Sequence, residues 1–309
     1  MQFRFLTLAL FIALSTQVKA EDAKAEEESA VSKIEACNKA IKEGDASKAL
    51  AYAGQVLKLD ANNREALLCK GRAHGGTGQN KEALTALQAA EKLSSNPLEH
   101  MVALTLIGNV QTSDKQFSEA IASYQASLAL AQKAGNTRFE RIDHNLIGDA
   151  YVANNQLEQG LKSYLVGSQL AANGNEHADS YERIAATYSA LGKYDLAVEH
   201  QIKAVLAETG NGDLDHQANA GLELGRYLTQ AGDYLKAERA INKVVNLSKE
   251  NGGAYWEAKS YYYLGITKTA SNQTADARKL LQDAQRISDE IGEQELSGDI
   301  KLALAKLPK

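Results

Sequence analysis

Small residues recur along this chain at nearly fixed spacing. Ala49, Ala83, Ala120, Gly160, Ala197, Ala237 and Ala277 stand 34, 37, 40, 37, 40 and 40 residues apart. Twelve residues ahead of each lies a second series: Cys37, Gly71, Gly108, Gly148, Ala185, Gly225 and Gly265. Ten residues behind each lies a third: Leu59, Leu93, Leu130, Leu170, Ala207, Leu247 and Ile287. Three registers that shift together mark one supersecondary unit copied about seven times. Such a chain stacks each unit on its neighbours and does not close a single core.

Each unit reads as two helices. Over residues 141–174, Ile142, Leu146, Ile147, Ala150 and Tyr151 fall at helical spacing. Asn154-Asn155 breaks the run, and Leu157, Leu161, Tyr164, Leu165 and Leu170 make a second. Asn173-Gly174 then reads as a helix C-terminus. No stretch alternates with period two for long enough to predict a strand, and the prolines are Pro97 and Pro308 alone. The small residues have a mechanical reason. Two antiparallel helices joined by a short turn approach closely only where side chains are small. The small residue of the first helix (position 8 of the unit) is therefore expected to face that of the second (position 20). The spacing predicts an all-α chain.

Three segments carry a resemblance. They are L-I-G-D-A-Y (146–151) with Gly160 and Tyr164, Y-E-R-I-A-A-T-Y (181–188) with Gly192, Tyr194, Ala197 and Ala204, and L-E-L-G-R-Y (222–227) with Gly232, Tyr234 and Ala237. An apolar residue, then Gly at 8, Tyr at 11, Ala at 20, an aromatic at 24 and a small residue at 27, resembles the tetratricopeptide repeat. The resemblance covers about residues 30–293. It implies a right-handed superhelical solenoid of about seven helix-turn-helix repeats, near 30–63, 64–97, 101–134, 141–174, 178–211, 218–251 and 258–291. A capping helix over 294–309 would cover the last apolar face. The pattern is not complete: no unit has Pro at position 32 or Trp at position 4, and Ala40 and His74 replace the usual Tyr in the first two. The later units are longer, and the added residues read as following the second helix, with turn signals at Gly135-Asn136, Gly174-Asn175, Gly210-Asn211, Asn251-Gly252-Gly253 and Gly292. That length resembles the repeats of kinesin light chains and of many bacterial regulatory repeat proteins, where the concave face takes up extended or helical peptides.

The resemblance also implies which residues line such a groove. Positions 2, 5, 9 and 12 of the first helix give Val102, Thr105 and Asn109, then Ile142, Asn145 and Asp149, then Asp179 and Glu182, then Asn219, Leu222 and Arg226, and last Lys259, Tyr262 and Ile266. Asn109 and Asn145 stand where an amide clamps an extended backbone. Asp149, Asp179 and Glu182 would make the middle of the groove acidic, and Arg226 and Lys259 its far end basic. Tyr262 is the aromatic expected to face the groove, while Tyr255, Trp256, Tyr261 and Tyr263 are expected between the last two repeats. The competing reading is that these are ordinary solvated positions. A grip on a partner's C-terminal carboxylate would need Lys where Asp179 stands, with Arg183 nearby.

The ends speak to compartment. Arg4, the apolar run Phe5–Leu14 and Val18-Lys19-Ala20 have the layout of a secretory signal cleaved after Ala20. Ten apolar residues are too few to span a bilayer, which needs about 20. An uncleaved tether is the alternative. Residues 21–29 are an acidic linker with little to bury. Cys37 and Cys69 can pair in an exported protein, or remain two core thiols.

Little else points to chemistry. The six histidines show no zinc spacing, and no serine sits in a G-x-S-x-G elbow. The glycine-rich run 71–78 lacks the Lys-Ser/Thr ending of a phosphate loop. Without residues 1–20 the chain carries 32 basic and 39 acidic residues, a net of −7, which argues against nucleic acid. No later segment is apolar enough for stable membrane insertion. The expectation is a non-enzymatic scaffold or adaptor, periplasmic or secreted, that binds a protein or peptide partner and needs no cofactor or metal. A ligand-responsive sensor, or an enzyme with an unrecognised site, are the alternatives. Oligomeric state is not written in these patterns.

Overall fold

The computed structural model describes residues 29–209 and 213–308. The predicted signal (1–20), nearly all of the acidic linker and the Gly210-Asn211 turn lie outside the described residues. Within them the chain is all helix, with no strand. The helices are α1 (29–42), α2 (Ala46–Leu59), α3 (Arg64–Gly76), α4 (Asn80–Lys92), α5 (Pro97–Ser113), α6 (Phe117–Ala134), α7 (Thr137–Ala153), α8 (Leu157–Ser168), α9 (Gly174–Ala190), α10 (Tyr194–Glu208), α11 (Leu214–Gln230), α12 (Tyr234–Asn251), α13 (Ala254–Ala270), α14 (Thr274–Ile291) and α15 (Gln294–Lys306). Odd-numbered helices up to α13 open hairpins, even-numbered ones close them, and α15 packs on α14 and α13. The chain divides into two compact units, one ending at Phe139 and the other starting at Glu140.

The hairpins are held by a packing rule finer than small against small. A Cβ built on Gly71, Gly108, Gly148, Gly225 or Gly265 would stand 2.3–2.6 Å from a side-chain atom of Leu87, Tyr124, Tyr164, Ile241 or Leu281. Each of those lies sixteen residues on, in the partner helix, and is buried. The position-20 alanine does meet the glycine, but through its backbone: the carbonyls of Ala83, Ala237 and Ala277 are 3.3–3.6 Å away. What the glycine makes room for is the large side chain at position 24. The other two hairpins conserve volume. Ala185 is sixteen residues from Gln201, which is 1 % exposed, and Cys37 is sixteen residues from Ala53, also 1 % exposed. Gln201 brings a polar head into this core, and its Nε2 donates to the Ala220 carbonyl at 3.0 Å.

Turns and caps follow the same period. One residue per hairpin turn has left-handed backbone: Gly44, Gly78, Lys115, Asn155, Gly192, Gly232 and Asn272. Four of these are glycine, which adopts positive φ without strain. At most of the joints between hairpins an Asn or Asp side chain accepts from a free N–H of the next first helix, whereas Gly253 precedes α13 with no side-chain cap. Asn63 caps α3, Asn96 caps α5, Asn173 caps α9 and Asp213 caps α11. Such caps are worth about 1 kcal/mol each.

Two expectations are corrected here. Asn173-Gly174 does not close a helix: α8 ends at Ser168, and Asn173 accepts from Glu176 N–H to open α9. The added length of the later units does not sit after the second helix. It lengthens helices: α5, α7, α9, α11 and α13 each have 17 residues against 13 in α3, and α6, α12 and α14 have 18 against 13 in α4. A longer hairpin buries another turn of apolar surface at the cost of about one turn of backbone entropy.

In the first unit a disulfide joins Cys37 on α1 to Cys69 on α3, with Cα atoms 6.4 Å apart. It closes a span of 32 residues, and both cysteines are buried beside Ala40, Ala49, Ala53 and Ala73. A cluster made largely of alanine buries little area per residue, so a covalent tie there supplies what packing cannot.

Two outcomes test these readings. Gly148→Ala should lower stability by about 1–3 kcal/mol by pushing Tyr164 aside, whereas Gly54→Ala, with open space around its Cβ, should gain about 1 kcal/mol from helix propensity; chemical denaturation of both variants measures the difference. Cys37→Ser with Cys69→Ser should cost the first unit about 3–4 kcal/mol, read as faster amide exchange in α1–α4.

Candidate functional site

First helices two elements apart touch one another. α3 touches α5, α11 touches α13, and α13 touches α15, while α12 and α14 make no comparable contact. In these pairs the first helices form the closer-set face. Polar side chains one repeat apart stitch this face together. In the second unit Ser189 Oγ donates to Gln230 Oε1 at 2.9 Å, Thr229 and Thr267 hydroxyls meet at 2.8 Å, and Trp256 Nε1 donates to Asp215 Oδ1 at 2.6 Å. In the first unit Arg72 Nη1 donates to Asn38 Oδ1 at 2.9 Å, and Arg64 Nη2 to the Glu99 carbonyl at 2.7 Å.

The densest stitching joins α7 and α9. Arg183 Nη1 pairs with Asp149, and Arg183 Nε donates to Asp179 Oδ1 at 3.0 Å. Asn145 Nδ2 donates to Asp179 Oδ2 at 3.2 Å. Arg141 pairs with Glu176 at 3.2 Å and reaches Asp179 at 4.0 Å. Tyr164, already packed over Gly148, donates its hydroxyl to Asp149 Oδ1 at 2.6 Å. Burial and the Asp149 charge together push the Tyr164 phenol far above its ordinary value, so it remains a donor at any physiological pH.

This geometry reassigns several sequence-derived groove residues. Asp149 and Asp179 are not free acids offered to a ligand, because two arginines answer them. Asn145 is 5 % exposed. Its Oδ1 is buried without a hydrogen-bond partner and would stand 2.6 Å from a Cβ on Gly167. It is a buried strut between α7 and α9. Leu222 is likewise 1 % exposed and belongs to the core with Ala218, Ile241 and Val244. Arg226 is half-buried: it holds Glu223 Oε2 at 2.5–2.9 Å and lies 4.3 Å over the Tyr227 ring. Asn109, in the first unit, is exposed on α5 and accepts the Tyr124 hydroxyl at 2.9 Å.

Glu182, Lys259 and Tyr262 stay partly open on their first helices. Lys259 Nζ sits over the Trp256 and Tyr255 rings, at 5.0 and 5.4 Å. Tyr262 packs edge-on to Tyr263 and against the core shared with α15. Tyr263 reaches Glu223 on α11 at 3.5 Å, and its phenol is pushed up to about 12, chiefly by burial. Glu182 differs from its neighbours. Burial first, then the carboxylates of Glu208, Asp179 and Glu223, raise its pKa to about 7. Single-position reading did not find Glu208, because its importance depends on which helix its turn abuts. Among the described residues, no group of three or more His, Cys, Asp or Glu is placed to hold a metal ion, and no helix is long and apolar enough to cross a membrane.

Residues 176–250 and 216–290 match the tetratricopeptide repeat family. That match covers 176–290, where the chain folds as paired helical hairpins. No curated protein matches the chain in sequence. Among solved structures, the apo form of RapI matches with a TM-score of 0.68 at 12 % identity, over 88 % of this chain and 80 % of that one. A Signal Transduction ATPase with Numerous Domains from Pyrococcus horikoshii, which has a tetratricopeptide repeat sensor, matches with a TM-score of 0.66 at 14 % identity, over 84 % of this chain and 41 % of that one. BtubC from P. vanneervenii matches with a TM-score of 0.57 at 16 % identity, over 71 % and 93 %. At these identities the likeness is one of fold: an all-helical solenoid.

Glu182 supplies a pH test. Its folded pKa of about 7 lies above the ordinary 4.5, so the folded state binds a proton there that the unfolded chain releases. Its contribution is intact below about pH 4.5 and turns into a penalty as pH rises through 7. Glu182→Gln should stabilise the protein by about 1 kcal/mol at pH 8, after allowance for solvent screening, and by almost nothing at pH 4.5. His144 and His200, held below their ordinary value mainly by burial, act with the opposite sign, so melting of variant and parent is compared at each pH.

Proposed function

We propose that this protein is a non-catalytic scaffold of the cell envelope, periplasmic or secreted, that holds a protein or peptide partner along the first-helix face of its second unit. The observation that carries this reading is the stitching of α9, α11 and α13 by polar contacts one repeat apart. Those contacts set the face before any partner arrives. A preorganised surface loses less entropy on binding than one that must order itself. Lys259 on its aromatic platform and the half-open Tyr262 supply cationic and amphipathic anchor groups of the kind that dominate interfaces. Export is supported by the layout of residues 1–20 and by the Cys37–Cys69 disulfide, since such bonds persist in oxidising compartments.

One experiment tests location and surface together. A photo-crosslinking residue is placed at Lys259 on the first-helix face, or at the exposed Lys243 on α12, in intact native cells. A discrete protein should be captured from position 259 and not from 243, and the recovered chain should begin at Glu21. Capture from 243 alone, or from neither position, would reject the surface; a recovered chain beginning at Met1 would reject the cleaved signal.

A further inference from the structure

The hairpins α9–α10 and α11–α12 run in register 40 residues apart, from Ala197 to Ala237. They differ in one cluster of side chains. In the first, Tyr181 of α9 stacks on His177 with ring centroids 5.9 Å apart, and meets His200 of α10 at 6.1 Å. Lys203 Nζ lies 6.0 Å from the centre of the Tyr181 ring and pairs with Glu199 at 2.8 Å. A ring face and a carboxylate together answer that ammonium.

In the second hairpin the cluster is hollowed out. Gln217, Gly221 and Ala240 stand where the first has His177, Tyr181 and His200. Lys243 keeps the place of Lys203, but Arg239 stands where Glu199 would pair with it. The space left is an open cavity of about 410 Å³ between α10, α11 and α12. Val205, Leu206, Leu224, Val244 and Leu247 give it aliphatic walls, and Gln217, Gly221 and Ala240 line it as well. Val244 leans toward the glycine, since a Cβ on Gly221 would stand 2.6 Å from Val244 Cγ2, yet the cavity remains beside it. Lys243 is the charged residue of the lining, and no carboxylate joins it there. Small-molecule sites have this character: about 300–1,000 Å³, mostly apolar, with a few placed polar groups. Aliphatic cavities also take up aromatic molecules.

We propose that this cavity binds a free small aromatic carboxylate. Its ring takes the place that Tyr181 fills in the hairpin before, and its carboxylate stands at the mouth beside Lys243, as Glu199 stands beside Lys203. The neighbouring hairpin thus serves as the template for the occupant, and the charge complements the lining. The second helices α10 and α12 supply two of the three walls. The site is therefore separate from the first-helix face assigned to a protein partner, and either reading stands or falls without the other.

The test uses the whole chain with its leucine and valine methyls labelled for NMR. Phenylacetate, phenylacetamide and cyclohexylacetate are titrated at matched ionic strength. Phenylacetate should shift the methyls of Val205, Leu224 and Val244 saturably. The neutral amide and the saturated ring should each need at least threefold more to reach half-saturation. Ala240→Leu fills the cavity from its α12 side and should raise the phenylacetate midpoint at least tenfold while the backbone amide spectrum holds. Lys243→Met, at an exposed position, should erase the preference for the acid over the amide, and it decides the matter if the first variant fails to fold. Absence of saturable shifts, equal midpoints for the three probes, or an unchanged midpoint in folded Ala240→Leu would overturn the proposal. So would a preference for the acid that survives Lys243→Met. Tighter binding of N-acetyl-phenylalanine methylamide, a ring carried on peptide backbone, would also overturn it and give the cavity to a partner's side chain.

Discussion

The fold depends on one contact, repeated: a backbone without a side chain lying under a large buried one sixteen residues later. Gly108 under Tyr124 and Gly148 under Tyr164 show it in aromatic form, and Gly71 under Leu87 and Gly225 under Ile241 in aliphatic form. The glycine costs helix propensity, about 1 kcal/mol relative to alanine. The large residue more than offsets this, since burying a side chain of that size is worth about 1.5–3 kcal/mol. Because the pair lies across a hairpin, it fixes the distance between the two helices and the point at which they cross. Everything stacked on the hairpin inherits that geometry.

The same pairing reaches the first-helix face. Tyr164 fills the space over Gly148 with its ring and hands its hydroxyl to Asp149 on the outer side. Asp149 in turn positions Arg183, and Arg183 positions Asp179. A core contact is thereby continued, atom by atom, into the polar seam between α7 and α9. The seam is part of the architecture, its carboxylates held by arginines on the same or the neighbouring helix.

What remains uncompensated stands out against that background. Arginines answer Asp149, Asp179, Glu176 and Glu223, whereas among the described residues Glu182 pairs with none, and burial and neighbouring carboxylates raise its pKa. Lys259 differs from these: its ammonium is set over two rings, so its charge stays at the surface.

Period, hairpin and capping helix were legible in the linear chain, because each is set by residues within about forty positions, whereas the left-handed residue of each hairpin turn was not, since Lys115, Asn155 and Asn272 carry it without glycine. The residue types at positions 8 and 24 already encode complementary volume, although which of two opposing positions fills the gap takes three dimensions to see. Reading Asn173 as the end of a helix failed because Asn serves both ends of helices, and only the backbone shows which N–H it faces. The groove residues were legible as positions and not as roles. Spacing places Asn145 and Asp149 on the first helix, but whether they meet solvent or Arg183 depends on how far one helix is rotated against the next. Local periodicity thus determined the architecture, since helix and hairpin are short-range structures. The state of each charge was decided by tertiary packing, since ion pairing and burial are properties of neighbours that lie far apart in the chain.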